Sequence, residues 1–400
     1  NALDKITWVL GEHRDEDFLN CYMIIRNPGV PIESSYLQKA REKNIPIESD
    51  LSLFFKLCKA HIVGITGTRG KSTTTSLIAH ILKNAGKKVW LGGNIGVSPL
   101  SFLDKIKEED IIVLELSSWL LESLGENKLS PNTSVYLNLL PDHLNRYEDM
   151  EAYGKAKALI TKHQKKDEVF ICNFDNEYTR KAANDSPAKV VCFSSADESK
   201  EYFLEGSKII ENGKEILDAN NVPLRGKHNQ VNVMAAVATV RQFDIPEDKI
   251  KQSISSFVSL PGRLQFIDEI EGITFINDTT STTPVATMAA LNALEGRPIT
   301  LIIGGSDKGL DCEEMAKEID EHAQRLIWLP GEGTDRCKPL VNLAEQYEAD
   351  SMQIAVKQAF TLSQAGDMVL LYPGFASFGL FKNEFDRGDQ FNEAVGELKK

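Results

Sequence analysis

The sequence lacks any run of apolar residues near the ~18 needed to cross a bilayer, so an embedded protein is not expected. It also lacks the charged, apolar and small-residue succession of a signal peptide. Its six cysteines, Cys21, Cys58, Cys172, Cys192, Cys312 and Cys337, form no C-x-x-C pair. That removes a cysteine-based zinc site and a redox dithiol. Scattered thiols in a chain this long suit a reducing compartment, so a cytoplasmic location is expected. Positive charge is in deficit: 45 Lys and Arg face 58 Asp and Glu, a net charge of -13. A general nucleic-acid binder is thereby excluded, because phosphate tracking needs concentrated Lys and Arg. Small anionic substrates stay open, since they need only a local positive pocket. Internal repeats and low-complexity tracts are missing too. The chain opens on Asn rather than Met, so a processed or shortened start is expected.

What remains is an ordinary globular composition, 42% hydrophobic and 26% charged over 400 residues. At ~150 residues per domain this is two or three domains. Short β-rich runs alternate with helical patterns, which implies parallel α/β units. The runs are 61–66, 88–92, 111–116, 134–140, 169–173 and 189–193, then 264–268, 273–277, 299–304, 325–329 and 367–372. Their near-continuous apolar character suits strands covered on both faces. Residues 201–225 carry Glu-Gly and Asn-Gly turns between alternating segments, a signature of hairpins at a domain edge. Pro261-Gly262 marks a boundary. Residues 1–57, with the runs "ITWVL" and "CYMIIR" and one amphipathic helix near 34–43, are too few for an independent core.

The stretch "GITGTRGKSTTT" at 64–75 is strand, glycine turn and helix start. Its helix is expected to end near Asn84-Ala85-Gly86. Free N–H groups and the helix dipole at such a start favour an anion. Lys71 can neutralise phosphate, and the Ser72 hydroxyl can ligate Mg²⁺. The alternative is a plain βα turn with a surface lysine. Glu115 closes the strand in "VLELSSW", where carboxylates meet ligands in parallel sheets and suit a hard cation. Asp142-His143 follow another strand end, 134–140.

Met150, Tyr153, Lys157 and Ile160 are spaced 3, 4 and 3, one helical face. Lys157 therefore lies on an apolar stripe, where a lysine must snorkel, pair or be chemically altered. Asn229 and Asn232 precede an Ala- and Val-rich helix and can bind a base or phosphate, or simply cap it. Arg263 follows the Pro-Gly turn, and Asp278 ends a strand before a Thr- and Ser-rich loop. "GGSDKG" at 304–309 and Ala376-Ser377 end two more strands. Lys308, Ser377 and a helix start after Ala376 can jointly seat a carboxylate.

The run "GITGTRGKSTTT", "GGNIG", "ELSSW", "DHLNRY", "YGKAK", "GKHNQVN" and "LPGR" resembles the Mur ligases of peptidoglycan synthesis, in family order over nearly the whole chain. The endings "NDTTSTTP", "GGSDKG" and "FKNEFDRGDQF" narrow the resemblance to members that add D-glutamate to UDP-N-acetylmuramoyl-L-alanine. The family's loop is the short G-x-x-G-K-[ST] form, matched by Gly67 to Ser72.

The resemblance implies an α/β chain of three domains. These are a truncated N-terminal uridine-nucleotide domain (1–57), a central P-loop-type ATPase domain with a mostly parallel sheet (58–259) and a C-terminal Rossmann-like domain for the amino acid (260–400). It implies ATP and two Mg²⁺ ions as cofactors, and a monomer working without nucleic acid. Gly67, Thr68, Arg69, Gly70, Lys71, Ser72 and Thr73, with Asn229, Arg263 and Asp278, would bind ATP. Ser72 or Thr73 and Glu115 would ligate one Mg²⁺, and His143 would help hold the second. Lys157 aligns with a lysine the family carbamylates, whose carbamate can bind Mg²⁺. Lys71, Glu115, His143 and Lys157 would form the catalytic set. Gly29, Asn94 and Ser117 would contact the nucleotide substrate, and Thr282, Lys308, Ser377 and Phe378 the D-glutamate.

Three departures stand out. The chain begins past the family's opening strand and glycine-rich turn. Leu120 replaces a common Gln, and Thr280 stands where some members have Lys. Two alternatives stand beside this reading: another Mur or folylpolyglutamate-type ligase, and a nucleotide-binding protein left inactive by the missing start.

Overall fold

In a computed structural model of the chain, residues 6–27, 29–94, 98–142, 146–224, 226–258, 261–281, 297–307 and 312–399 are described. Chain contacts divide it into two compact units. Unit 1 comprises Asn1–Asn221 and Val231–Ser256, and unit 2 comprises Val222–Gln230 and Phe257–Lys400.

Unit 1 opens with irregular chain at 6–10, where Trp8 and Leu10 stand exposed. The run "ITWVL" pairs with no described strand and so joins no ladder. Three helices follow rather than the one expected: α1 (Asp15–Leu19), α2 (Ser35–Glu42) and α3 (Asp50–Leu57). Two short strands, β1 (Ile24–Ile25) and β2 (Ile47–Glu48), pair in parallel. Helix α3 is fixed by a capping box, with Ser49 and Ser52 each serving the other's backbone N–H.

The main sheet of unit 1 has nine strands: β3 (His61–Thr66), β4 (Val89–Gly93), β5 (Ile111–Glu115), β6 (Thr133–Tyr136), β7 (Val169–Asn173), β8 (Lys189–Ser194), β9 (Tyr202–Glu205), β10 (Lys208–Glu211) and β11 (Lys214–Asp218). Their order is β11-β10-β9-β8-β7-β6-β3-β5-β4. Pairing is parallel from β4 through β9, and β9-β10-β11 form the expected antiparallel edge. The helix after the glycine loop, α4 (Lys71–Asn84), buries Leu77, Ile78, Ile81 and Leu82 completely. Each such side chain contributes roughly 1.5–3 kcal/mol, an upper bound because the unfolded chain is already partly collapsed. Ala85 caps it, and Gly86 takes a φ of 84°, as the sequence required.

Strand β6 stops at Tyr136, although the apolar pattern ran to Leu140. The backbone of Asn138 leaves the ladder because its carbonyl accepts the Thr68 N–H at 2.9 Å. Further helices α5 (Ser118–Glu126), α6 (Met150–Lys162) and α7 (Glu177–Asn184) cover the sheet. Helix α8 (Lys227–Val240) already contains Asn229 and Asn232, which the sequence placed before it.

Unit 2 is built on a six-stranded sheet: β12 (Gln265–Ile270), β13 (Ile273–Asn277), β14 (Ile299–Gly304), β15 (Arg325–Leu329), β16 (Gln346–Glu348) and β17 (Met368–Leu371), ordered β12-β13-β17-β14-β15-β16. All neighbours are parallel except the β12-β13 hairpin. No helix begins at Ser377. The next helix spans Glu384–Glu397, where the Asn383 side chain accepts the Phe385 and Asp386 N–H groups. An N-cap fixes a helix start more strongly than the small residues upstream do.

Candidate active site

The loop between β3 and α4 lies at the C-terminal edge of the unit 1 sheet. Gly67 and Gly70 adopt φ of 154° and 80°. A Cβ on Gly70 would stand 2.2 Å from the Asn232 Oδ1, so this turn accepts only glycine and rests against α8. Asn138 holds the loop from the other side. Its Oδ1 accepts the Arg69 N–H at 2.9 Å, and its Nδ2 donates to the Arg69 carbonyl at 3.2 Å. Sequence reasoning missed Asn138, whose only signal was a polar residue inside an apolar strand end. Ser72 is buried in the first turn of α4, beside half-buried Lys71 and Thr73.

Lys71 and Lys157 converge on one backbone oxygen. The Lys71 Nζ donates to the Gly67 carbonyl at 2.9 Å and the Thr68 carbonyl at 3.0 Å. The Lys157 Nζ donates to the same Gly67 carbonyl at 3.0 Å and lies over the Tyr153 ring. Lys157 is 2% exposed, so it does not snorkel to solvent. Burial first, and the Lys71 charge second, push its ammonium well below the ordinary lysine range, while Asp142 and Glu115 oppose them.

Glu115 lies in register with Ile65 of β3 and Gly93 of β4. Gly93, at φ 88°, permits this approach, because a Cβ there would fall 2.3 Å from the Glu115 carbonyl. Asn94 then binds Glu115 twice: its N–H reaches the backbone carbonyl at 2.9 Å, and its Nδ2 reaches Oε1 at 2.8 Å. The other oxygen, Oε2, is buried without a hydrogen-bond partner among the described residues. A buried carboxylate oxygen left unsatisfied is costly and suits a cation in life. The residues present therefore fit a hard divalent ion, with Ser72 or Thr73 as the hydroxyl donor.

Ser117 caps α5, accepting the Leu120 N–H at 3.4 Å. Gly29 sits in a turn closed by Asn27 Oδ1 at 2.9 Å. His143, Thr282 and Lys308 lie outside the described residues. Asn229 is buried in the first turn of α8, its N–H donating to the Gly226 carbonyl.

In unit 2, Asp278 at the end of β13 organises the turn that carries Arg263. Its Oδ1 accepts the Leu264 N–H at 2.8 Å, and its Oδ2 accepts the Ser281 hydroxyl at 2.6 Å. Thr280 completes the turn by binding the Gly262 carbonyl through both its N–H and its hydroxyl. Ser377 is buried and Phe378 exposed, on the loop after β17. Arg387, which the sequence did not single out, is fully buried beneath these loops. It donates to the Thr279 hydroxyl, the Thr279 carbonyl and the Phe375 carbonyl at 3.0, 2.8 and 3.1 Å.

The structure thus brings Gly67–Thr73, Asn94, Glu115, Ser117 and Lys157 together on one edge of unit 1. It gathers Arg263, Asp278, Ser377 and Phe378 at strand ends of unit 2. A glycine loop opening a helix, a carboxylate with one oxygen unpartnered among the described residues, and a buried amine whose charged form is disfavoured are groups that phosphoryl transfer can use.

Residues 65–240 match the Mur ligase middle domain, and 262–375 match the Mur ligase glutamate ligase domain. The chain is 37% identical to the UDP-N-acetylmuramoylalanine–D-glutamate ligase of Roseiflexus sp. (strain RS-1), over 98% of this chain and 87% of that protein. It is 35% identical to the enzyme of that name from Thermoanaerobacter sp. (strain X514), over 99% and 88%. Among solved structures it resembles a MurF ligase from Thermotoga maritima in complex with ADP, at 18% identity and TM-score 0.66 over 90% of this chain and 92% of that one. A pseudomurein peptide ligase type C from Methanothermus fervidus is similar at 17% identity and TM-score 0.68, over 96% and 89%. At these identities the two structures speak to the fold alone.

Proposed function

The chain belongs to the Mur ligase family, and from that premise we propose that it adds D-glutamate to UDP-N-acetylmuramoyl-L-alanine at the expense of ATP, in peptidoglycan precursor synthesis. The observation that carries the chemistry is the convergence of Lys71, Lys157 and the Glu115 strand end around the Gly67 turn.

A carboxylate is a poor acyl donor at neutral pH, so it must first gain a leaving group. The alanyl carboxylate attacks the γ-phosphorus, ADP departs, and an acyl phosphate forms. The amine of D-glutamate attacks the acyl carbon, and the tetrahedral intermediate collapses to amide and phosphate. Lys71 and the N–H groups of the Gly67–Thr73 turn hold the phosphates and offset charge as it moves. Asn229, Arg263 and Asp278 serve the nucleotide of ATP. Gly29, Asn94 and Ser117 hold the uridine substrate. Thr282, Lys308, Ser377 and Phe378 seat D-glutamate.

When bound, Mg²⁺ neutralises phosphate oxygens and fixes their orientation. Glu115 Oε2 and the Ser72 or Thr73 hydroxyl would hold one ion, and His143 and Lys157 would help with a second. Lys157 suits this role because burial and the Lys71 charge favour its uncharged form, and an uncharged amine can add CO₂ and lose a proton, giving a carbamate anion. That anion would attract the Lys71 ammonium, whereas a Lys157 ammonium would repel it. We assign residues 1–57, 58–259 and 260–400 to the nucleotide-substrate, ATP and amino-acid domains of a cytoplasmic monomer. No helix among the described residues is long and apolar enough to cross a membrane.

The test is ATP-dependent phosphate release with UDP-N-acetylmuramoyl-L-alanine and D-glutamate, omitting each in turn. Release is expected only with all three. Equal release with L-amino acids or folate would point to another ligase, and nucleotide binding without product would point to an inactive protein.

A further inference from the structure

The main sheet of unit 1 sets two thiols side by side. Cys172 of β7 and Cys192 of β8 are partners in the parallel ladder. Partners on neighbouring strands share a face, and both thiols belong to the same apolar core. Neighbouring strands lie about 4.8 Å apart. That is inside the window of about 4.4–6.8 Å that a disulfide spans between Cα atoms. Closing the bond needs some give in one strand, and β8 has it. It pairs with β9 only at Phe193 and Ser194, so at Cys192 it belongs to one ladder rather than two. There the Cys192 N–H donates to the Glu201 carboxylate at 3.0 Å instead. No C-x-x-C spacing announced a dithiol; the sheet assembles one.

The two thiols are unequal. Cys172 is fully buried, and its Sγ donates to the Thr179 carbonyl at 3.3 Å. Cys192 is half-buried, within reach of a small oxidant. The neighbouring Cys192 thiol, and burial after it, push the Cys172 thiol up from its ordinary value. The Cys172 thiol pulls that of Cys192 down, so Cys192 ionises first. A thiolate is the nucleophile, so Cys192 attacks and Cys172 resolves. Cys312 and Cys337 of unit 2 also interact, but they are 3% and 0% exposed, which offers an oxidant neither sulfur.

We propose that Cys172 and Cys192 are a reversible redox site, closed to a disulfide by a hydroperoxide, and that closure weakens the grip of the Gly67–Thr73 turn on ATP. The Cys192 thiolate attacks the peroxide and the O–O bond breaks. A sulfenic acid forms, and the leaving alkoxide takes up the proton that Cys192 released. The Cys172 sulfur then attacks the Cys192 sulfur. The S–S bond forms, the S–O bond breaks, and hydroxide leaves with the Cys172 proton as water. The two thiols lose two electrons and the peroxide gains them. In a reducing compartment the pair rests as the dithiol. The link to ATP starts at the next residue. Asn173 Nδ2 donates to the Leu137 carbonyl at 2.7 Å, and the adjoining Asn138 holds the Arg69 backbone. Strain in β7 reaches the turn by that route. This effect rests on the ATP reading above; the disulfide does not.

The full-length protein is reduced, treated with hydrogen peroxide, alkylated and digested without reductant, and its peptides are mapped by mass spectrometry. A Cys172–Cys192 link is expected as the main disulfide, lost on adding dithiothreitol and missing in Cys192→Ser. By calorimetry, ATP affinity is expected to fall about 3-fold or more on oxidation. It should return with dithiothreitol and hold steady in peroxide-treated Cys192→Ser. A Cys192 that stops at sulfenic or sulfinic acid, or a link between other cysteines in its place, overturns the proposal. So does a Cys172–Cys192 disulfide that leaves ATP affinity unchanged. If the reduced protein binds no ATP, the ATP reading fails instead, and the peptide map still decides the disulfide.

Discussion

Replacing Lys157 with methionine should make the protein more stable and destroy its activity. The side chain is fully enclosed, and its charged form is disfavoured by burial and by Lys71. Methionine keeps the unbranched stem and most of the volume. It loses one hydrogen bond, but the Gly67 carbonyl keeps the Lys71 Nζ at 2.9 Å, so no buried acceptor is orphaned. Removing a buried ionisable group in favour of an apolar one of similar size stabilises by roughly 1–4 kcal/mol.

The pH dependence has a definite sign. Lys157 has a folded pKa depressed below its unfolded value, ~10.4 for a free lysine. Between those two values the unfolded chain binds one more proton than the folded one. Stability of the unsubstituted protein therefore rises with pH in that window, by about 1.4 kcal/mol per pH unit relative to the Met variant. The variant's advantage is largest at the low-pH end and closes as pH approaches ~10.4. The assay is denaturant unfolding in Mg²⁺-free, CO₂-depleted buffer at several pH values, paired with phosphate release. A Met variant no more stable than its parent, with a gap independent of pH, would refute the depressed pKa of the buried amine. Retained ligation would sink the carbamate role, and added bicarbonate is expected not to rescue the variant.

Glu115→Gln keeps the Asn94 contact but loses the anionic oxygen. It should raise the Mg²⁺ concentration for half-maximal activity about 10-fold or more, read by metal titration. Gly70→Ala places a Cβ 2.2 Å from Asn232 Oδ1 at a φ of 80°. ATP affinity should fall about 10-fold or more by calorimetry, and unchanged affinity would show that the loop tolerates a side chain. Arg387→Met strands three acceptors beneath the β13 and β17 loops, so thermal or denaturant unfolding of unit 2 should show a loss of about 3 kcal/mol.

The glycine loop and the stripe-bound Lys157 were legible because both depend on residues within a few turns of chain. A strand end, glycines and a hydroxyl-rich helix start specify their own geometry, and a 3.6-residue period shows which side chain faces inward. The hairpins β9 to β11 were legible for the same reason, from Asn-Gly and Glu-Gly turns. The end of β6 was misread, because a strand exists only where a partner backbone accepts it. At Asn138 the backbone carbonyl is claimed instead by Thr68 and the side chain by Arg69, some seventy residues away in the chain.

By itself, then, the sequence determined the alternation of elements, the glycine turn that opens α4 and the burial of Lys157. Tertiary structure alone decided that Lys71 and Lys157 share the Gly67 carbonyl, and that Glu115 keeps one oxygen without a partner among the described residues. Those are meetings of residues from different strands and helices, and no local period encodes them. They are set by the order of strands in the sheet and by which backbone groups remain free at its edge.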